Sequence, residues 1–312
     1  MFKKATKQQA RLRMALHGPS GAGKTYTALQ IASHLATARG GRVALLDTEH
    51  GSASKYSDAF DFDVVEVADN YSPDRVVEVL NEAAKHGYSV LVIDSMTHFW
   101  NGAGGFLELV DREVANMKAR GGKPDSFAAW KVVDPVYRRM VQAMLSAPLD
   151  VIVTLRAKTE YQKVEGNNGR TSIQKVGLAP EMRDNFQYEM DVEGMLSIDH
   201  ALVIGKTRCA TLDGAIFQKP GKDVADALYA WLSTGAAPAV IEPPAPVTRA
   251  EVEAALVAAL VGVDVAAEDA ATFLDSLEAK ASGDWRKVQG WIAASPAAKL
   301  QKGIADARQG GK

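Results

Sequence analysis

Gly18-Pro19-Ser20-Gly21-Ala22-Gly23-Lys24-Thr25 fits the phosphate-binding pattern G-x-x-x-x-G-K-[ST], and its flanks are those the pattern needs. Upstream, Leu12, Met14 and Leu16 alternate with Arg11 and Arg13, which is strand periodicity. Downstream, Tyr26 to Ala38 carries Leu29, Ala32, Leu35 and Ala36 at helical spacing. The glycines let the backbone wrap closely around an anion, because a Cβ would block the turn. The N–H groups of the loop and the helix N-terminus supply partial positive charge to phosphates. Lys24 is expected to reach the β- and γ-phosphates and Thr25 to place its hydroxyl on Mg²⁺, with Gly18 to Tyr26 as the nucleotide contacts. A chance glycine-rich turn before a lysine would lack this strand and helix.

Outward from the loop, Val43-Ala44-Leu45-Leu46 forms a short apolar strand ending in Asp47-Thr48-Glu49, and Val64 to Val67 another. Pro73 opens a helix with Val76, Val77, Val79, Leu80 and Ala83, closed by His86-Gly87. Val90-Leu91-Val92-Ile93 is apolar throughout, as buried parallel strands are, and ends in Asp94-Ser95. A long amphipathic helix from Phe127 to Ala147 stops at Pro148, and Val151 to Thr154 is the next buried strand. Strands alternating with helices imply a parallel sheet with helices on both faces. Lys158 to Lys175 is polar and aperiodic around Gly166-Asn167-Asn168-Gly169, which reads as a mobile loop. Met190 to Leu196 and Ala201 to Lys206 read as a hairpin, and Val224 to Leu232 as a closing helix.

Residues 235–247, with Pro238, Pro243, Pro244 and Pro246, have the composition of an extended linker after a core at 1–234. Beyond it, 248–312 reads as a small helical domain: Thr248 and Glu251 form a capping box, and Trp285, Val288, Trp291 and Ile292 share a later helix. Over 312 residues the formal net charge is −2, so attraction to nucleic acid or anionic membrane must come from a local patch. No apolar run is long enough to span a bilayer, and the basic start lacks a signal peptide's apolar segment. Cys209 stands alone, which excludes an internal disulfide and a cysteine-rich zinc site. A cytoplasmic protein without a membrane partner is expected.

A phosphate loop needs a second anchor for its metal. Asp94, at the end of a neighbouring apolar strand, is placed to hold Mg²⁺ through its water shell. The attacking water needs a base or an orienting group. Ser95, not a glutamate, follows Asp94, so the candidate is Glu49, at the end of the strand next after the loop helix. Open parallel sheets bind ligands at those carboxyl ends. His50 beside Glu49 lacks the spaced partners of a metal site, so no metal but Mg²⁺ is assigned. His98, Phe99 and Trp100 could line the site, but read more readily as core.

The run Leu45 to Ala53 resembles the strand end that carries the catalytic glutamate of the bacterial recombinase RecA, in an Asp-x-Glu-His context. With Gly18 to Thr25 and Val90 to Ser95, it implies an α/β, RecA-like P-loop NTPase core and ATP as the nucleotide. The chain looks still closer to phage-encoded RecA-core ATPases, a group that includes single-strand annealing proteins. Met1 to Thr6, Ser95 to Trp100, Thr154 to Tyr161 and Gly177 to Pro180 carry that likeness, which covers about Phe2 to Ser233.

The resemblance implies further roles. Lys206-Thr207-Arg208 looks like the Lys-x-Arg element that such ATPases insert into a neighbour's site; it reads equally as positive charge protecting an edge strand. Phe2-Lys3-Lys4-Ala5 resembles a subunit-docking Phe-x-x-Ala peptide, or is a disordered basic start. Thr154 and Arg156 are both placed to sense the γ-phosphate. The segment after Arg156 stands where RecA-type proteins bind DNA and offers Lys158, Lys163, Arg170 and Lys175 for phosphates and Tyr161 for stacking. Lys118 to Lys123 is a second basic stretch. The expectation is a homo-oligomeric ATPase, ring or filament, of DNA recombination or replication that binds single-stranded DNA, with strand annealing as its specific version. A related helicase or motor is one alternative. Another is a nucleotide-dependent switch that recruits single-strand binding protein or other replication proteins through the C-terminal helices.

Overall fold

In the computed structural model, which describes residues 4–165, 171–236, 248–260, 266–281 and 283–310, the chain forms two compact units, 1–238 and 239–312. The first begins with β1 (Arg13–Gly18), fully buried, which runs into the phosphate loop. Helix α1 (Lys24–Arg39) is bounded by two glycines in the left-handed region, Gly23 at φ 84° and Gly40 at φ 66°. The first supports the sharp entry and the second ends the helix, where a Cβ would be strained. Next come β2 (Arg42–Asp47), β3 (Asp63–Glu66), α2 (Pro73–Lys85) and β4 (Tyr88–Asp94). Pro73 sits in the first turn of α2, where its missing N–H has no intrahelical partner to lose.

After β4 come α3 (Thr97–Asn101), α4 (Phe106–Ala119) and α5 (Ser126–Ser146), then β5 (Asp150–Glu165) and β6 (Thr171–Pro180). The unit closes with α6 (Phe186–Glu189), β7 (Val192–Leu196), β8 (Ala201–Thr207), β9 (Ile216–Gln218) and α7 (Lys222–Ser233). The sheet runs β3-β2-β4-β5-β1-β7-β8-β9 and is parallel as far as β7, with β8 and β9 antiparallel. It is an α/β P-loop NTPase core with a mainly parallel sheet, as the likeness to RecA implies. One strand, β5, separates β1 from β4, so the carboxyl ends of β1, β2 and β4 open on one edge.

Two apolar layers hold the sheet. Leu12, just before β1, and Met14 and Leu16 of β1 pack with Leu29, Ile31 and Leu35 of α1 and Leu228 and Leu232 of α7. On the other face Leu91 and Ile93 of β4 meet Leu80, Phe99, Phe106, Met140 and Met144. Each fully buried side chain of this size contributes roughly 1.5–3 kcal/mol against exposure. Arg13 is an exception at the sheet's other end: its buried guanidinium donates to the carbonyls of Leu12, Leu149, Leu145 and Ala147, and burial pushes its pKa down to about 10.

The expected mobile loop at Lys158 to Lys175 is a correction. Residues 158–165 pair antiparallel with 171–179, with Lys158 opposite Ala179 and Tyr161 opposite Lys175, while 166–170, the centre of the expected loop, lie outside the described residues. Strands that are polar along most of their length carry no hydrophobic period, so alternation could not reveal them.

The second unit consists of α8 (Arg249–Ala259), α9 (Ala267–Lys280), α10 (Trp285–Ala293) and α11 (Ala297–Gly310). Thr248 and Glu251 form the capping box, and Val252, Leu256, Leu274, Val288, Ile292 and Leu300 form the core. No helix among the described residues is long and apolar enough to cross a membrane.

Candidate functional site

The carboxyl edge of the sheet opens into a cavity of about 860 Å³, lined by Gly18, Lys24, Thr25, Glu49, Asp94 and Arg156 among others. Four segments far apart in sequence supply these groups, and parallel topology brings them to one edge. Gly21 and Gly23 both have positive φ, and a Cβ on Gly23 would come 3.2 Å from His200 Nδ1. Glycine is thus needed twice in the loop, for conformation and for space. Lys24 Nζ donates to the carbonyls of Gly18 and Pro19, each at 3.0 Å, so the ammonium is held against its own loop. Burial lowers the pKa of Lys24, opposed by Asp94 and Glu49.

Asp94 is 2% exposed, and both its oxygens are satisfied. Thr25 Oγ1 donates to Oδ2 at 2.6 Å and the Thr154 hydroxyl donates to Oδ1. Burial raises the Asp94 pKa, and the two hydroxyls pull it back. A hydroxyl and a carboxylate in contact beside a phosphate loop are hard oxygen donors and fit Mg²⁺. Thr25 and Asp94 would hold that ion, which when bound supplies charge neutralisation for the β- and γ-phosphate oxygens. Thr154, fully buried, supports Asp94, whereas the Arg156 guanidinium is the group that reaches the cavity.

Glu49 leaves β2 through a braced turn. Buried Asp47 accepts from the N–H of Glu49 at 2.6 Å and of Ala53 at 3.0 Å. The Glu49 carboxylate accepts from Arg156 Nη2 at 2.9 Å and Nε at 3.2 Å. His98 Nε2 lies 4.0 Å from the same oxygen. The other ring nitrogen, Nδ1, is 2.7 Å from Thr48 Oγ1, which accepts from Ser95 N–H. Burial lowers the His98 pKa, helped by Arg156 and opposed by Glu49, which favours the neutral ring. The His98, Phe99 and Trp100 run therefore divides: Phe99 is core, Trp100 stacks on Trp130, and His98 stands behind Glu49.

On the far wall Tyr26 is 44% exposed and meets Tyr56 and Phe60 edge-on, at 5.8 and 5.1 Å between ring centroids. Tyr26, Tyr56, Gln30, Lys219 and Pro220 line this side, an aromatic and amide surface suited to a base and its sugar. His50, His200 and Lys219 are the non-glycine residues with positive φ among those described. Two line the cavity and the third follows Glu49, and such backbone strain gathers at functional sites. No sequence pattern marks a histidine or lysine for this conformation, so His200 and Lys219 escaped the sequence reading.

Lys206 and Arg208 do not line the cavity of their own chain. Lys206 Nζ donates to the carbonyls of Gln187, Tyr188 and Met190 at the end of α6. Arg208, 59% exposed in its side chain, pairs with Asp191 at 2.8 Å. Lys158 is exposed, next to cavity-lining Ala157. Tyr161 and Lys163 are backbone positions of β5, and Lys175 of β6. Arg170, and Phe2 and Lys3 of the Phe-x-x-Ala peptide, lie outside the described residues. The second basic stretch, Lys118 to Lys123, is exposed at the end of α4.

Fold and donor set define a P-loop NTPase domain. More particularly, the chain belongs to a family of AAA domains (AAA_24), whose model matches residues 10–219. Among solved structures it is similar to a KaiC-like protein of the hyperthermophilic archaeon Pyrococcus horikoshii OT3, with 14% identity and a TM-score of 0.35, over 64% of this chain and 80% of that one. No curated protein matches the chain.

Proposed function

We propose that the chain is an ATP hydrolase of DNA recombination or replication, working as a homo-oligomer on single-stranded DNA, in the manner of the phage-encoded annealing proteins it resembles. One observation carries the hydrolytic part: the Glu49 carboxylate faces the same cavity as Lys24, Thr25 and Asp94. Lys24 binds the terminal phosphates, Thr25 and Asp94 hold Mg²⁺, and Glu49 accepts the proton of the attacking water. Arg156 is the γ-phosphate sensor: it exchanges its hold on Glu49 for the phosphate and frees the carboxylate for the water. Arg208 acts on a neighbour's nucleotide, since its exposed side chain, among the described residues, has the single ion pair with Asp191 to release.

The DNA part rests on chain order. β5 carries Arg156 in the cavity and passes directly into the pair with β6, where Lys158, Tyr161, Lys163 and Lys175 lie, with Arg170 between the two strands in sequence. A strand that ends a nucleotide site and begins a basic hairpin supports nucleotide-dependent DNA binding. The test is ATP turnover with and without single-stranded DNA, for wild type, Lys24→Ala and Glu49→Gln. Turnover lost in both variants, and raised by DNA in wild type, is expected. Full turnover in Glu49→Gln would refute the mechanism, and indifference to DNA would refute the substrate.

A further inference from the structure

The C-terminal helical unit lies beyond the residues the family model matches, and nothing in the nucleotide site gives it a task. It carries a cavity of about 230 Å³ between α9, α10 and α11, a space for about one bulky side chain. Phe273, Leu277, Ile292 and Leu300 supply apolar walls, Trp291 stands at its side, and Ser295, Lys299 and Gly303 complete the lining. Trp291 is 42% exposed although Val288 and Ile292 on the same helix are buried. An exposed tryptophan beside an apolar cavity is the composition of an interface anchor point, not of a solvated helix face.

We propose that this cavity docks one bulky apolar side chain, aromatic or leucine-sized, of an acidic segment in a partner protein. Charge names the occupant. From 285 to 312 the sequence holds Arg286, Lys287, Lys299, Lys302, Arg308 and Lys312 against one acid, Asp306; Lys287 and Arg308 are paired with Asp284 and Asp269, which leaves Lys299 and Lys302 as the charges α11 offers beside the cavity. Lys299 lines the cavity and is exposed, and Lys302 follows one helical turn later. Neither lysine has an ion-pair partner among the described residues. Ser295 and Lys299 also flank the start of α11, where the helix dipole favours negative charge. Lysine heads and dipole thus face a segment whose apolar side chain enters the cavity and whose carboxylates remain at its rim.

A nucleic acid would also answer the positive charge, but it fits the cavity poorly. A base has polar edges on every side, and besides the rim lysine the lining's side chains offer the Ser295 hydroxyl and the Trp291 indole N–H, both donors at the rim, to satisfy them. An apolar side chain leaves no such group unpaired.

The experiment selects displayed random peptides on the full chain, with Trp291→Ala and Lys299→Glu as counter-selections. Both positions are exposed, and circular dichroism with unchanged ATP turnover confirms that each variant is folded. Enriched peptides should share an aromatic residue or leucine flanked by acids. A labelled synthetic copy should lose about tenfold or more in affinity on replacing its apolar residue by alanine, and similarly in either variant. A charge-reversed copy should prefer Lys299→Glu. No enrichment, enrichment of basic peptides, or binding indifferent to the anchor would overturn the proposal. So would single-stranded DNA binding, or self-association of the chain, that is lost in Trp291→Ala.

Discussion

Arg156 donates two hydrogen bonds to a single oxygen of Glu49, joining β5 to the turn after β2 across the intervening β4. The side chains are 48% and 30% exposed, so the pair contributes only about 0–1 kcal/mol to the fold. On the proposed mechanism its consequence is functional: the carboxylate proposed as the base is occupied by a cation that lines the same cavity as Lys24. Glu49→Gln should therefore bind ATP with affinity within about threefold of wild type while turnover falls by roughly 10²–10⁴. Arg156→Ala should lower turnover while leaving the midpoint of thermal unfolding nearly unchanged. Calorimetry and single-turnover hydrolysis check both, and a large loss of stability in Arg156→Ala would make the pair structural.

Asp94 shows what the site costs. Burial raises its carboxyl pKa above the ordinary value, so the ligand-free fold loses stability as pH rises from the ordinary carboxylate range through that raised pKa. Below the unfolded value the carboxyl is protonated in both states and the penalty is absent. Asp94→Asn should thus unfold at higher temperature than wild type at neutral pH, by about 0.5–2 kcal/mol, while losing Mg²⁺-dependent turnover. The gain should shrink as pH falls. Equal or lower stability at neutral pH would show that the hydroxyls of Thr25 and Thr154 already compensate the buried charge.

The nucleotide half of this molecule was legible because each of its parts has a local signature. Gly18 to Thr25 announces itself by spacing, and Val90 to Ile93 by unbroken apolarity before Asp94. Placing Glu49 needed only the rule that parallel strands present their carboxyl ends together. What the sequence concealed depends on contacts between distant residues. That Thr154 serves Asp94 while Arg156 reaches Glu49 follows from the pairing of β4 with β5, which sets which side chains face the cavity. His98 looked like part of an aromatic core run, and only its ring contacts with Thr48 and Glu49 distinguish it from Phe99. The β5–β6 hairpin is polar along most of its length, so its residues follow no hydrophobic period and read as loop.

That hairpin carries the prediction for DNA. Neutralising Lys158, Lys163, Arg170 and Lys175 together should weaken single-strand binding similarly across sequences. It should also reduce the slope of log affinity against log salt by about 3, near 0.7 for each phosphate no longer neutralised. Fluorescence anisotropy over a salt series measures both quantities. Unchanged affinity would favour the switch reading, in which nucleotide state recruits other proteins and DNA is not the ligand.

Arg208 separates action within a chain from action across a subunit boundary. Its partner in its own chain is Asp191, in an ion pair too exposed to repay much in stability. Arg208→Ala should thus keep the fold and bind ATP, yet lose turnover by about 10³ or more if its charge stabilises a neighbour's transferring phosphoryl group. On the proposed mechanism Glu49→Gln should be defective for a different reason: it lacks the base but retains Arg208. In a mixed oligomer, some interfaces pair an intact Glu49 from one variant with an intact Arg208 from the other, and those sites should hydrolyse ATP. Turnover should therefore appear on mixing two inactive preparations, rise to a maximum near equal proportions, and vanish on dilution below the assembly concentration. Two inactive proteins that stay inactive at every ratio, while light scattering shows them co-assembled, would confine Arg208 to its own chain and leave Lys206 as a helix-end clamp on α6.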